Sequence, residues 1–245
     1  MNDIDRLLDT VITAHGGADF WHGLDAIDAV LSADGFLFSA KRRPPLRRLR
    51  VRAATAAARF TFFDYPRPGL RGEWLGDDEV RIVDAAGAVV ARRERPRAAF
   101  RGLRRQFWWD DLDFLYFAGY ATWNYLTAPF LLLRPGFVFE LLPALPGEVS
   151  RLRATFPPDV PTHSRDQVFH FAPDGRLLRL DYTAEVVGGW ARAAHLCECY
   201  RNFGGLLAPT RRRVRPLFGG EQPLPFPTLV AIDIHELTPV RGSPP

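Results

Sequence analysis

Two hydrophobic rhythms run along this chain. Most segments alternate apolar and polar side chains every second position, the period of a strand with one buried face. One segment in the middle abandons the alternation and shows no polar stripe. It reads FWWDDLDFLYFAGYATWNYLTAPFLLLRPGFVFELL over residues 107–142, and from Phe114 to Leu133 twenty consecutive residues carry no charge and seven are aromatic. Asp110, Asp111 and Asp113 precede this run and Arg134-Pro135-Gly136 follow it, which are the charges and breakers expected at the two ends of a helix. Twenty residues would reach across a bilayer. Strands are expected on both sides, however, and a span would divide one sheet between two compartments. Gly119, Thr122, Asn124, Thr127 and Pro129 also suit a span poorly. The run therefore predicts a helix buried on nearly all sides, or one whose inner face lines a cavity.

Around it, Ile4, Leu7, Leu8, Val11 and Ile12 form one helical stripe ended by His15-Gly16-Gly17, and a short helix through Phe20, Trp21 and Leu24 follows. Residues 26–40 read as one long bulged strand broken at Gly35. Further strands are expected over 49–54, 58–64, 71–75, 79–84 and 89–93, and a short basic helix over 96–105. The second half gives strands at 137–142, 150–156, 167–171, 177–185, 194–203, 206–216 and 228–237, with Asp174-Gly175 and Gly204-Gly205 as hairpin turns. Without a Ser/Gly-rich linker or an internal repeat, residues 1–245 form a single domain: a helical N-terminus (1–25), a strand meander (26–95), a helical cover (96–134) and a second meander (137–240). The class is α+β, mainly antiparallel β, with about 11–12 strands.

Composition adds little chemistry. The net charge of +4 comes from arginine, Lys41 being the sole lysine. The arginines are scattered through strands and not gathered on one face beside stacking aromatics, which argues against nucleic-acid binding. The N-terminus has no basic region, apolar core or small-residue cleavage site of a secretory signal, so a cytoplasmic location is expected. Cys197 and Cys199, two apart on a strand, should share a face as free thiols.

Three segments carry a resemblance: HFAPDGRLLRLDYTAEV (170–186), CYRNFGGLLAPTRRRVRP (199–216) and LVAIDIHEL (229–237). They are similar to the closing hairpins of the bacterial LolA-like lipoprotein-localisation superfamily, which includes LppX- and LprG-type lipid carriers, with Tyr200, Phe203, Gly205 and Pro209 at its pattern positions. AHGGADFWHGLDAI (14–27) resembles the family's first helix and strand. The resemblance implies a half-open, strongly curved barrel whose concave face, covered by helices, holds acyl chains or another apolar ligand. The missing signal and the length of the aromatic helix depart from the family's envelope carriers.

The ligand-binding residues expected are Trp108, Phe114, Tyr116, Tyr120, Trp123, Asn124, Phe130 and Tyr182, whose polar tips either bond to the strands or orient a ligand in an apolar site. Inward ionisable groups that would support catalysis are sought among His170, Asp181, Glu185, His195, Asp233 and His235. Asp233 and His235 share a strand face as a general-base dyad would, while His163, in a Pro-Thr-His-Ser loop, reads as a surface residue. A His-x-Cys-x-Cys run at His195 spaces its ligands too widely for one tetrahedral ion, so no metal is expected, and no cofactor. The function expected is binding of a lipid-like or polyketide-like small molecule. The alternative is a biosynthetic cyclase or isomerase that folds its substrate in the same cavity. Peripheral contact with a membrane is compatible with either. A third reading makes Trp108 and Trp109 an exposed patch for a protein partner.

Overall fold

The N-terminal stripe forms α1 (Asp3–Ala14), which begins in a capping box: the Asn2 side chain accepts the Asp5 backbone N–H at 2.8 Å and the Asp5 side chain accepts that of Asn2. A computed structural model of the chain describes residues 2–102, 104–147 and 149–242. After α2 (Ala18–His22) the chain enters β1 (Leu24–Asp34). Gly35 then takes φ 125°, and a Cβ there would lie 2.6 Å from the Leu229 carbonyl oxygen. That turn ends the strand. Residues 36–40, expected to extend it, form instead the short helix α3 (Phe36–Ala40).

The first meander continues through β2 (Leu46–Ala54), β3 (Arg59–Phe63), β4 (Leu70–Leu75), β5 (Glu79–Asp84) and β6 (Val89–Glu94). A 3-10 turn over Pro96–Arg101 and the single turn α4 (Arg104–Phe107) lead into α5 (Asp111–Thr127). The second meander comprises β7 (Val138–Leu145), β8 (Val149–Thr155), β9 (Asp166–Phe171), β10 (Leu177–Thr183), β11 (Arg192–Phe203), β12 (Leu206–Pro216) and β13 (Val230–Arg241). All thirteen strands join one antiparallel sheet in the order β6-β5-β4-β3-β2-β1-β13-β12-β11-β10-β9-β8-β7. The thirteen correspond one for one to the segments read from the sequence, one more than the round figure of 11–12. β6 and β7 are the two free edges, so the sheet curves without closing, a half-barrel. Its two meanders meet only where the first strand pairs with the last, Ala29 opposite Leu237.

The helix α5 fills the curve. It starts at Asp110, whose side chain accepts the Asp113 N–H at 2.8 Å in a second capping box, and ends at Thr127, earlier than the apolar run does, because Ala128 precedes a proline and leaves the helical region. Phe130–Leu133 continue as a 3-10 turn. Every residue from Asp113 to Leu126 is buried. Asp113 is the buried charge at the helix start, and it receives Arg93 Nη1 at 2.6 Å and Arg105 Nε at 2.8 Å. None of the described helices is long and apolar enough to cross a membrane.

One face of α5 lies on β2 to β5 at very close range. A Cβ on Gly119 would meet the Trp74 Cβ at 2.7 Å, and one on Gly72 would meet a Leu115 methyl at 2.9 Å. Glycine at both positions lets the helix backbone and β4 approach, with Phe60, Phe62 and Trp74 fully buried beneath. On β11, the alternation fails at Cys199, which has φ 56°. Cys197 is buried, Cys199 is exposed, and Tyr200 turns inward against His15 at 5.9 Å between ring centres. The two thiols therefore do not share a face as strand parity predicts.

Candidate ligand cavity

The opposite face of α5 stands off the sheet along part of its length and meets it at Tyr125, whose hydroxyl lies 2.8 Å from that of Tyr182 on β10. Phe114, Phe117, Ala118, Ala121, Thr122 and Tyr125 recur at helical spacing along this face, and they face a cavity of about 350 Å³. Its other walls are Leu31 and Ala33 of β1, Val230 and Ile232 of β13, Val214 of β12, Ala193 of β11 and Tyr182 of β10. The room exists because helix and strands both place small side chains here: Ala118, Ala121 and Thr122 face Ala33 and Ala193. A volume of this size lies at the lower end of the range for small-molecule sites, roughly 300–1,000 Å³.

The cavity opens between α3 and the β10–β11 connection. Phe36, Trp190 and Phe218 line it there, and each is more than half exposed at 57%, 66% and 56%. Such a rim of bare rings is unusual for side chains of this size. Lys41 lines the wall beneath, itself buried, its ammonium donating to the Arg105 and Gln106 carbonyls at 3.1 and 2.6 Å and lying 5.2 Å from the Trp109 ring centre. Burial lowers its pKa from the ordinary lysine value. Arg43 pairs with Asp111 beside it.

At the inner end stands His163. Its loop, which reads as surface in the sequence, is drawn inward by Asn124 Nδ2 donating to the Pro161 carbonyl at 2.8 Å, Arg97 Nη1 donating to the Thr162 carbonyl at 2.9 Å and Gln167 Nε2 donating to the Ser164 carbonyl at 3.0 Å. Only 1% of the residue is exposed. The imidazole stacks on Tyr182 at 4.0 Å, with Tyr120 Oη 3.1 Å from Nδ1 and Tyr125 Oη 2.6 Å from Nε2. Tyr125 Oη lies 2.8 Å from Tyr182 Oη. Burial pushes the His163 pKa down to about 3, and the Arg97 charge adds to the effect. The ring is therefore neutral at physiological pH. Burial likewise raises Tyr120 and Tyr125 well above the ordinary phenol value.

Of the eight residues singled out as ligand contacts, Phe114 and Tyr182 line the cavity. The others make their contacts within the protein. Tyr116 donates to Asp77 at 2.6 Å, Trp123 Nε1 to the Ala54 carbonyl at 2.8 Å and Asn124 to the Tyr120 and Pro161 carbonyls, both at 2.8 Å. Tyr120 bonds His163, Phe130 stacks on Trp21 at 4.4 Å, and Trp108 lies under the Arg104 guanidinium at 4.2 Å. Trp109, read with Trp108 as an exposed patch, is buried and lines the cavity.

The ionisable candidates do not converge. His170 Nε2 meets Asp181 at 3.0 Å on the side of the sheet opposite Phe169 and Phe171, and Arg179 holds the same carboxylate at 2.6 Å. Asp233 pairs with Arg213 at 2.8 Å while His235 bonds Ser32 Oγ at 2.9 Å, so the expected dyad is not formed. Glu185 pairs with Arg97 at 2.7 Å. His195 is buried behind Tyr125 at 4.2 Å, ring to ring, and its pKa is pushed well below the ordinary value by burial and then by Arg212. Arg212 Nη1 lies 3.4 Å from His195 Nε2 and 3.2 Å from Cys197 Sγ, a cation where a metal ion would have to sit. Among the described residues no three His, Cys, Asp or Glu side chains cluster as a metal site.

Two solved structures are similar to this chain over nearly its whole length. One is the LolA superfamily protein NE2245 from Nitrosomonas europaea, with a TM-score of 0.53 at 12% identity, covering 98% of this chain and 94% of that one. The fold is LolA-like. The other is a DUF1329 family protein from Desulfovibrio piger ATCC 29098, with a TM-score of 0.51 at 14% identity and the same coverage. No family model matches the sequence, and no curated protein does. The LolA-like half-barrel agrees with the architecture implied by the resemblance at Tyr200, Phe203, Gly205 and Pro209.

Proposed function

We propose that this protein binds a hydrophobic, lipid-like or polyketide-like molecule between α5 and strands β1 and β10–β13. The observation that carries the reading is the run of small side chains on one face of an otherwise aromatic helix, which leaves about 350 Å³ of apolar space next to a close-packed core. Burial of apolar ligand surface contributes about 25 cal/mol per Å² before the cost of ordering is subtracted. The exposed rings of Phe36, Trp190 and Phe218 offer the ligand an apolar path from a membrane surface into the opening. The test is native mass spectrometry of the purified protein beside the denatured chain. A mass carried by the native protein and released on denaturation supports the reading; a bare native chain that also refuses an added fatty ester overturns it.

A second reading, a cyclase or isomerase of apolar substrates, draws on the phenol and imidazole groups at the cavity wall, since a phenol can protonate a developing oxyanion. Release of the bound mass unchanged after long incubation counts against it.

A further inference from the structure

Four groups at the inner end of the cavity share three hydrogen bonds, and counting protons limits the directions of those bonds. Tyr120, Tyr125, Tyr182 and neutral His163 bring four N–H or O–H donors to the contacts Tyr120–Nδ1, Nε2–Tyr125 and Tyr125–Tyr182. One proton is left over, and the imidazole tautomer decides at which end of the cluster it lies. With the proton on Nδ1, His163 donates to Tyr120, Tyr125 donates to Nε2 and Tyr182 donates to Tyr125. The spare proton then belongs to Tyr120, which is fully buried, does not line the cavity and has no second partner among the described residues. Such a stranded donor loses its hydration with no bond in return. With the proton on Nε2, Tyr120 donates to Nδ1, Nε2 donates to Tyr125 and Tyr125 donates to Tyr182. The spare proton is then on Tyr182 or, where Tyr182 donates to Tyr125 instead, on Tyr125, and both are wall residues of the cavity.

We infer that the ligand of this cavity is not a plain hydrocarbon but carries an uncharged carbonyl oxygen, as in an ester, ketone or amide, which accepts the hydrogen bond that the Tyr125–Tyr182 phenol pair has left to give. This deepens the binding function proposed above and rests on it. An acceptor without charge fits because the donor is a phenol held by a neutral imidazole, and no charged side chain touches the Tyr182 hydroxyl. The cation behind the cluster, Arg212, donates instead to the Tyr125 backbone carbonyl at 2.6 Å. The Thr122 hydroxyl, one helical turn before Tyr125 and also on the cavity wall, adds a second polar edge at the same end.

The test compares methyl laurate with pentadecane, which has the same number of heavy atoms, by displacement of anilinonaphthalene sulfonate from the wild-type chain and from the double variant Tyr125→Phe/Tyr182→Phe, since loss of Tyr182 alone would free the Tyr125 proton. Comparing the ester-to-alkane affinity ratio in the two proteins cancels the difference in hydrophobicity. The ratio should be about 2- to 12-fold higher in wild type, the equivalent of one hydrogen bond. As a readout that needs no variant, the infrared band of a carbon-13-labelled ester carbonyl should shift to lower frequency on binding, relative to the ester in hexane. An unchanged ratio, or a bound carbonyl absorbing where it does in hexane, overturns the inference while leaving apolar binding intact. Failure of both ligands to bind removes the binding function itself and this inference with it.

Discussion

The backbone of Gly119 sits directly against Trp74: a methyl group on this glycine would lie 2.7 Å from the Trp74 Cβ and 2.9 Å from its Cγ. Alanine exceeds glycine in helix propensity by about 1 kcal/mol, so an uncrowded Gly119→Ala would stabilise. Overpacking costs typically 1–3 kcal/mol, and the obstructing atoms belong to the root of a rigid side chain. Gly119→Ala should therefore destabilise by up to about 2 kcal/mol in urea unfolding. A gain in stability would show that α5 does not press on β4.

On the other face of the same helix the sign reverses. Ala121→Phe points a ring into empty space, so the urea midpoint should change little while displacement probes lose their site altogether. Retained probe binding in a folded Ala121→Phe chain would place the ligand elsewhere.

Three buried histidines, His15, His163 and His195, have pKa values lowered chiefly by burial. In the unfolded chain each takes up a proton as pH falls through about 6.5, whereas folded His163 stays neutral until about pH 3. The stability they confer is complete above that upper value and declines below it, by about 1.4 kcal/mol per pH unit for His163 alone. Urea midpoints should fall steeply between pH about 6.5 and 4. In His163→Gln the slope should be shallower; an identical slope would mean that this ring is not held neutral.

Asp113 ends a buried charge cluster with Arg93 and Arg105. Asp113→Ala removes the shared carboxylate and one half of the capping box, and it should cost about 3 kcal/mol or more. Restoring two-thirds of that loss with Asp113→Asn would assign the effect to capping and not to charge.

Trp190 stands at the opening and not in the inner wall. Trp190→Ser should slow the transfer of a fluorescent fatty ester from vesicles into the protein several-fold, with equilibrium affinity changed less than the rate. Stopped-flow and equilibrium titrations together separate the two.

Much of the architecture is legible in the sequence because it rests on local rules. Alternation marks the strands, Asp110 with Asp113 marks the start of α5, whose end falls at Thr127 and not at Arg134-Pro135-Gly136 where the sequence places it, and the closing hairpins carry the LolA-like pattern. The candidate site is less legible. Polar tips on an aromatic helix point as readily to the sheet as to a ligand, and Trp123, Asn124 and Tyr116 go to the protein. The signal that does mark the cavity is an absence of bulk, Ala118, Ala121 and Thr122 at helical spacing, which aromatic neighbours conceal. His163 is hidden for another reason: its burial depends on long-range bonds from Asn124 and Arg97 to its loop, and no short-range pattern encodes them.

The pairing of β1 with β13 has a consequence for biosynthesis. A ribosome makes 195 residues, 35–229, between the end of β1 and the start of β13, so over that stretch of elongation the two half-sheets remain unjoined. The cavity, whose walls come from both, is completed only when the last strand docks. A chain cut short before Val230 should leave the aromatic helix seated on β2–β5 with its alanine-bearing face open to water, a species for chaperones to hold and not for ligand to fill.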